Sequence, residues 1–271
     1  MSLFLALCAP LAMAEDSEFV GAEAPPEPAE EEKIKPETTL SAELGGIYTT
    51  GNVSLYAVNG GVAAGHRWSQ NKLSLLTGLN IGAGVPDGDE NGTIDVDERG
   101  EGFKENARRF HGEARYDRFF SETDSLYFLS GAFHDVFAGY DLRSHQQLGY
   151  SKLLLKDERS EIRGEVGFDY AQEFYVDGVD PDFANIFAGR MLLAGSHAFS
   201  DSVGITNVLE VYENILDFRD LRVLNTLTLS SALSSTFSVK LSHALIFDNV
   251  PVENFQPLDQ TTLVTLVATI L

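Results

Sequence analysis

Cysteine is almost absent from this 271-residue chain: the one thiol, Cys8, sits inside an apolar N-terminal run. Once that run is removed no thiol remains, which excludes a disulfide framework and suits an exported protein that does without one. Positive charge is scarce as well. Lys and Arg total 19 against 41 Asp and Glu, a formal net charge of −22. Nucleic acid is therefore excluded as a partner, because phosphate binding needs clustered Lys and Arg; divalent cations are the natural counter-ions. The mean hydropathy of −0.07 argues against helical membrane spans, which need about 20 continuous apolar residues. It leaves a membrane β-barrel open, since half of each barrel strand faces a polar lumen.

What is present begins with an export signal over residues 1–14. Leu3 to Leu11 is an apolar run of signal-peptide length, and Ala12-Met13-Ala14 is a small-x-small cleavage site. The basic segment that normally precedes such a run is missing, as in a truncated start. Residues 15–37 follow with nine acidic residues, two lysines and four prolines. They bury too little apolar surface to offset the entropy of ordering, so they read as a disordered acidic linker.

From about Thr38 to Leu271 the chain alternates apolar and polar residues. In Glu161–Tyr175 the odd positions carry Glu161, Arg163, Glu165, Asp169 and Glu173, and the even ones Ile162, Val166, Phe168, Tyr170 and Phe174. A strand points successive side chains to opposite faces, so one face is charged and the other apolar. About twelve such segments can be marked: 39–49, 53–68, 72–85, 105–120, 125–138, 144–156, 160–175, 185–199, 203–215, 221–233, 237–248 and 260–271. Short polar turns such as Ser69-Gln70-Asn71 and Ser200-Asp201-Ser202 alternate with longer connections, 86–104, 176–184 and 249–259 being the longest. Strand count and loop asymmetry predict an all-β fold over 38–271, an antiparallel up-and-down transmembrane β-barrel in the outer membrane of a Gram-negative bacterium. Its lipid and lipopolysaccharide would be the surroundings, and the barrel-assembly machinery a partner during insertion. Tyr48, Trp68, Phe119, Phe120, Phe199 and Phe237, near strand ends, are expected to form an interfacial girdle. Luminal Glu113, Arg115, Glu161, Arg163, Glu165 and Arg190 are expected to pair and fill a narrow barrel. A secreted soluble calcium-binding β-domain would share the periodicity with its faces reversed. The export signal, the loop asymmetry and the terminal strand favour the membrane form.

Two blocks resemble a known family. Gly46, Thr50, Gly51 and Asn52 match a "Gly, x, x, x, Thr, Gly, Asn" opening, and Asp135, Phe137, Ala138, Gly139, Asp141 and Arg143 match an "Asp, x, Phe, Ala, Gly, x, Asp, x, Arg" core. Together they are similar to the uncharacterised DUF-class family of salt-stress-induced outer-membrane proteins. The resemblance implies an outer-membrane barrel of structural or narrow-pore type tied to salt or osmotic stress, with no assigned catalytic residues. The terminal leucine and an insertion at 87–98 depart from the family.

That insertion carries its own chemistry. Asp87, Asp89 and Asn91 occupy positions 1, 3 and 5 of a twelve-residue calcium loop, with Gly92 at the sharp turn. Thr93 would offer its carbonyl, Asp95 would act through water, and Glu98 would close the site as a bidentate ligand for Ca²⁺. The span holds six carboxylates and no basic residue, so without a cation it repels itself. Gly82, Gly84, Pro86, Gly100 and Gly102 oppose flanking helices. A helix-less calcium loop between two strands follows, of weak extracellular affinity on the order of 10⁻⁴–10⁻³ M. An outer-membrane hydrolase is the alternative function, resting on His134-Asp135 and on His111 near Glu113. Strand neighbours face opposite sides, so His134 and Asp135 do not simply pair, and enzyme activity is not expected.

Overall fold

The computed structural model describes residues 36–49, 54–86, 100, 102–253 and 255–270. Twelve antiparallel strands follow one another in chain order: β1 Glu37–Thr49, β2 Leu55–Trp68, β3 Asn71–Gly84, β4 Lys104–Phe119, β5 Asp124–Asp135, β6 Tyr140–Lys156, β7 Ser160–Tyr175, β8 Phe183–Ala198, β9 Val203–Asn214, β10 Leu221–Ala232, β11 Phe237–Asp248 and β12 Leu258–Thr269. Each pairs with its sequence neighbours, and β1 pairs with β12 from Ser41↔Thr269 to Gly45↔Thr265, closing the barrel. Along that register the two end strands of the sheet satisfy each other's edges, as a spanning sheet requires in a medium without water.

Local chemistry sets the turns at the end where β2 meets β3 and β4 meets β5. Ser200 Oγ accepts from the Ser202 and Val203 N–H groups, Ser234 Oγ from Thr236 and Phe237, and an Asp157 carboxylate oxygen from Arg159 and Ser160. The last pair of donors holds the Asp157 carboxyl below its ordinary range. These are the side-chain-to-backbone bonds that make Ser and Asp turn formers.

Side-chain polarity is inverted relative to a water-soluble domain. In β7, Glu165, Asp169 and Glu173 are buried inside, while Val166 and Phe168 are 55% and 41% exposed on the outer surface. The same parity places Leu148, Met191, Leu193, Leu227 and Leu229 outside. The alternation expected from the sequence is thus observed, with the charged face lining the lumen.

Two expectations require correction. The segment 125–138 is not strand throughout. It stops at Asp135, whose carboxylate accepts from the Phe137 and Ala138 N–H groups, and a 3₁₀ turn over Val136–Ala138 ends on Gly139 at φ 88°. Strand β6 then starts at Tyr140 rather than 144. Phe119 does not belong to an exterior girdle: it is 4% exposed inside the barrel, beneath the Arg67 guanidinium at 4.7 Å. Tyr48, Trp68, Phe120, Phe199 and Phe237 do lie outside. The export signal and all but the last two residues of the linker lie outside the described residues, as do Thr50, Gly51, Asn52 and Leu271.

Candidate functional site

The lumen is where this chain concentrates its chemistry. Strands in a closed barrel tilt, so a row of directly paired residues climbs from one end to the other. One such row runs Asp117↔Tyr127↔Gly149↔Gly167↔Arg190↔Tyr212↔Arg222↔Asp248. Its two glycines have a steric purpose. A Cβ on Gly167 would lie 2.6 Å from the Tyr127 hydroxyl and 2.8 Å from the Leu148 carbonyl oxygen, and one on Gly149 would meet the same tyrosine at 2.5 Å. Tyr127 therefore lies flat across β6 and β7 and reaches Arg190 on β8.

Arg190 is the hub. Its guanidinium donates to Glu165 at 2.9 Å, Glu210 at 2.6 Å, the Tyr127 hydroxyl at 2.8 Å and the Tyr212 hydroxyl at 3.3 Å. Arg115 forks onto both Glu165 oxygens at 2.7 and 3.1 Å, donates to Asp117 and stacks on the Tyr127 ring at 4.3 Å. Gln147 donates to the Tyr212 hydroxyl. Bidentate, charge-assisted bonds are the strong kind. They are needed here, because a buried ion left unpaired costs several kcal/mol. Arg190, Tyr127 and Gln147 are each 1% exposed. The lumen is packed with side chains at this level.

A second network stands nearer the other end. Glu173 accepts from Arg222 at 2.5 Å and from the Tyr175 hydroxyl at 2.5 Å, with the Arg143 Nε 3.2 Å away. Arg222 also meets Asp248 at 3.0 Å. Above it the mouth is capped. The 3₁₀ turn between β5 and β6 and the connection between β11 and β12 arise on opposite sides of the ring, yet a Cβ on Gly139 would be 2.9 Å from Val252 and 3.0 Å from Phe255. Gly139 is thus required twice, for its positive φ and for this contact. Between cap and hub lies a cavity of about 250 Å³, walled by Arg109, Phe133, Tyr140, Arg143, His145, Asp169, Tyr212 and Arg222, and roofed by Phe137, Pro251, Val252 and Phe255.

Of the luminal ions expected to pair, Arg115, Glu165 and Arg190 form the hub, and Arg163 stands 3.8 Å from Glu161. Tyr127, Glu210, Tyr212 and Arg222 were not singled out from the sequence, and Glu173 only as part of the charged face of its strand. Glu210, Tyr212 and Arg222 share inward parity in their strands, which was the available signal. Tyr127 lies in the unbroken run Leu126-Tyr127-Phe128-Leu129, where alternation says nothing about face. His134 and Asp135 have different partners. His134 contacts Asp141, whereas Asp135 points inward to Arg109 at 3.6 Å, and the His111 ring lies against Gly78. Asp87, Asp89, Asn91, Thr93, Asp95 and Glu98 all lie outside the described residues.

An apolar exterior, a charged lumen packed with side chains at the hub, and a closed ring of strands are the features of a transmembrane β-barrel fold. The sequence matches, over residues 42–270, the family described as "Protein of unknown function, DUF481", and the chain belongs to that family. Among solved structures it is similar to the NanC porin at 11% identity and a TM-score of 0.51, covering 85% of this chain and all of that one. It is also similar to an outer membrane channel from Pseudomonas putida F1 at 12% identity and a TM-score of 0.48, covering 86% of this chain and 94% of that one. At such identity the likeness to the NanC porin extends to the barrel fold alone. No curated protein sequence matches the chain.

Proposed function

We propose that the protein is an outer-membrane barrel of narrow-pore type, held nearly closed by its own luminal ion pairs, in an envelope exposed to salt or osmotic stress. The observation that carries this is the inverted polarity: Met191 and Val166 are exposed while Arg190 and Glu165 beside them are buried. Water would leave the first pair unfavourably hydrated, whereas lipid would accept them. The barrel shared with the NanC porin and the stress association implied by the family resemblance are consistent with it. Lipopolysaccharide and the barrel-assembly machinery are the corresponding partners. Detergent-dependent extraction and heat-modifiable migration on gels are the expected results; recovery as a soluble periplasmic monomer would sink the proposal.

The same proposal includes one Ca²⁺ on the 87–98 loop, held by Asp87, Asp89, Asn91, the Thr93 carbonyl, Asp95 through water, and Glu98. It rests on the twelve-residue pattern and on donor chemistry: hard carboxylate and carbonyl oxygens suit calcium. In the chain the loop lies between β3 and β4, and Asp177, Asp180 and Asp182, in the connection between β7 and β8, are exposed. Glu98→Gln is expected to weaken calcium binding far more than Asp97→Asn, because position 11 of the pattern is not a ligand. Isothermal titration of the refolded barrel at millimolar calcium measures this. Equal heats from wild type and Glu98→Gln would reduce the loop to a merely acidic one.

A further inference from the structure

The cavity beneath the cap contains two buried ions of opposite sign that the protein pairs only loosely. Arg109, 3% exposed, stands 3.6 Å from Asp135 with its guanidinium 4.6 Å over the Phe133 ring, and its Nε has no hydrogen-bond partner among the described residues. Asp169, 1% exposed, has its Oδ1 3.5 Å from the His145 ring nitrogen and without a hydrogen bond among the described residues. The hub below shows what this lumen achieves when its ions are satisfied: contacts of 2.6–2.9 Å around Arg190. A buried donor or acceptor left unmade is costly, and each such group calls for a partner. Both of these ions line one space.

We propose that this cavity binds a small zwitterion, an α-amino acid with an apolar side chain, as the solute of the narrow pore; the inference rests on the barrel reading above. A carboxylate would meet Arg109 and an ammonium would meet Asp169. A simple anion or a simple cation satisfies one of these and leaves the other buried and unmet. A zwitterion satisfies both and adds no net charge to a site of low dielectric, where an extra ion is expensive. Of the remaining wall, Arg143, Arg222 and Asp248 belong to the Glu173 network and Asp259 adds a carboxylate, while Phe133, Leu224, Ile246, Val252 and Phe255 offer hydrocarbon and aromatic surface for an apolar body. Size agrees as well. A dry cavity of about 150 Å³ accepts benzene, and this one measures about 250 Å³.

The test uses the full chain refolded in detergent, its heat-modifiable form verified first, and isothermal titration with three ligands of one shape. L-Leucine carries both charges, 4-methylpentanoate only the carboxylate, and 3-methylbutylamine only the ammonium. Saturable binding of leucine is expected, with each singly charged analogue weaker by about tenfold or more, one charge-assisted contact being lost in each. Asp169→Asn is expected to weaken leucine and leave 4-methylpentanoate unchanged; Arg109→Gln should weaken leucine and leave the amine unchanged. No heat from leucine with the folded barrel overturns the site and leaves the barrel standing. So does an analogue that binds as tightly as leucine, which would define a plain anion or cation site. A chain with no heat-modifiable form would count against the barrel itself. Should either variant not fold, the three-ligand comparison on the wild type still decides.

Discussion

Arg190→Ala is expected to open the barrel at mid-height and to destabilise it by about 3–5 kcal/mol, the usual cost of removing one partner from a buried ion pair. Arg190 contacts Glu165, Glu210, Tyr127 and Tyr212 at once. Its loss takes the guanidinium away from Glu210, to which the Tyr212 hydroxyl still donates at 2.5 Å, and frees the volume of the largest fully buried side chain among the described residues. Planar-bilayer recordings should show higher conductance than wild type, and urea unfolding from lipid vesicles a lower midpoint. Arg115→Ala and Glu165→Ala act on the same network and should move conductance in the same direction. Converting Arg190 and Glu210 together, Arg190→Met with Glu210→Gln, should recover much of the stability while keeping the raised conductance, because Glu165 keeps Arg115 as its partner. Unchanged conductance and an unchanged midpoint in Arg190→Ala would mean that the ion pairs do not hold the lumen closed.

Met191→Arg carries the second large effect, and its sign separates two environments. Met191 is 60% exposed, near the middle of β8, and pairs with Val166 and Val211 on the outer face. A surface substitution of this kind in water changes stability by only about 0.5 kcal/mol either way. At the midplane of a bilayer an arginine on a barrel exterior costs about 2–4 kcal/mol. Unfolding midpoints in vesicles, compared with a substitution at the rim such as Phe237→Arg where the cost falls towards about 0–1 kcal/mol, should show this depth dependence. Equal and negligible effects at both positions would place the apolar face in water.

The strands were legible because a period of two runs through most of them, and because Ser and Asp bond their own turns at one end. The register followed from that alternation, since a slip by one residue would turn every charge in β7 outward. Legibility failed where local pattern and tertiary placement separate. Phe119 ends its strand like a girdle aromatic, yet its inward parity puts it under Arg67. In Leu126-Tyr127-Phe128-Leu129 all four residues are apolar in bulk, and only pairing with β4 and β6 shows that Tyr127 and Leu129 face in. The family-like block around Asp135 was recognised as a pattern without its reason. The reason is a capped 3₁₀ turn whose Gly139 touches Val252, a contact between distant segments that no local periodicity encodes. Arg109 and Asp169 look like ordinary luminal ions in the sequence. Their loose pairing exists only in the assembled cavity.

The central claim is that the apolar exterior faces lipid. Spin labels on single cysteines at Leu148, Val166, Met191 and Leu227, all exposed on the outer surface, test it most directly in vesicles. Collision rates with oxygen, which partitions into the bilayer, are compared with those of a water-soluble nickel chelate. High oxygen and low nickel accessibility at all four positions is the expected result. High nickel accessibility at these sites would contradict a membrane-spanning barrel.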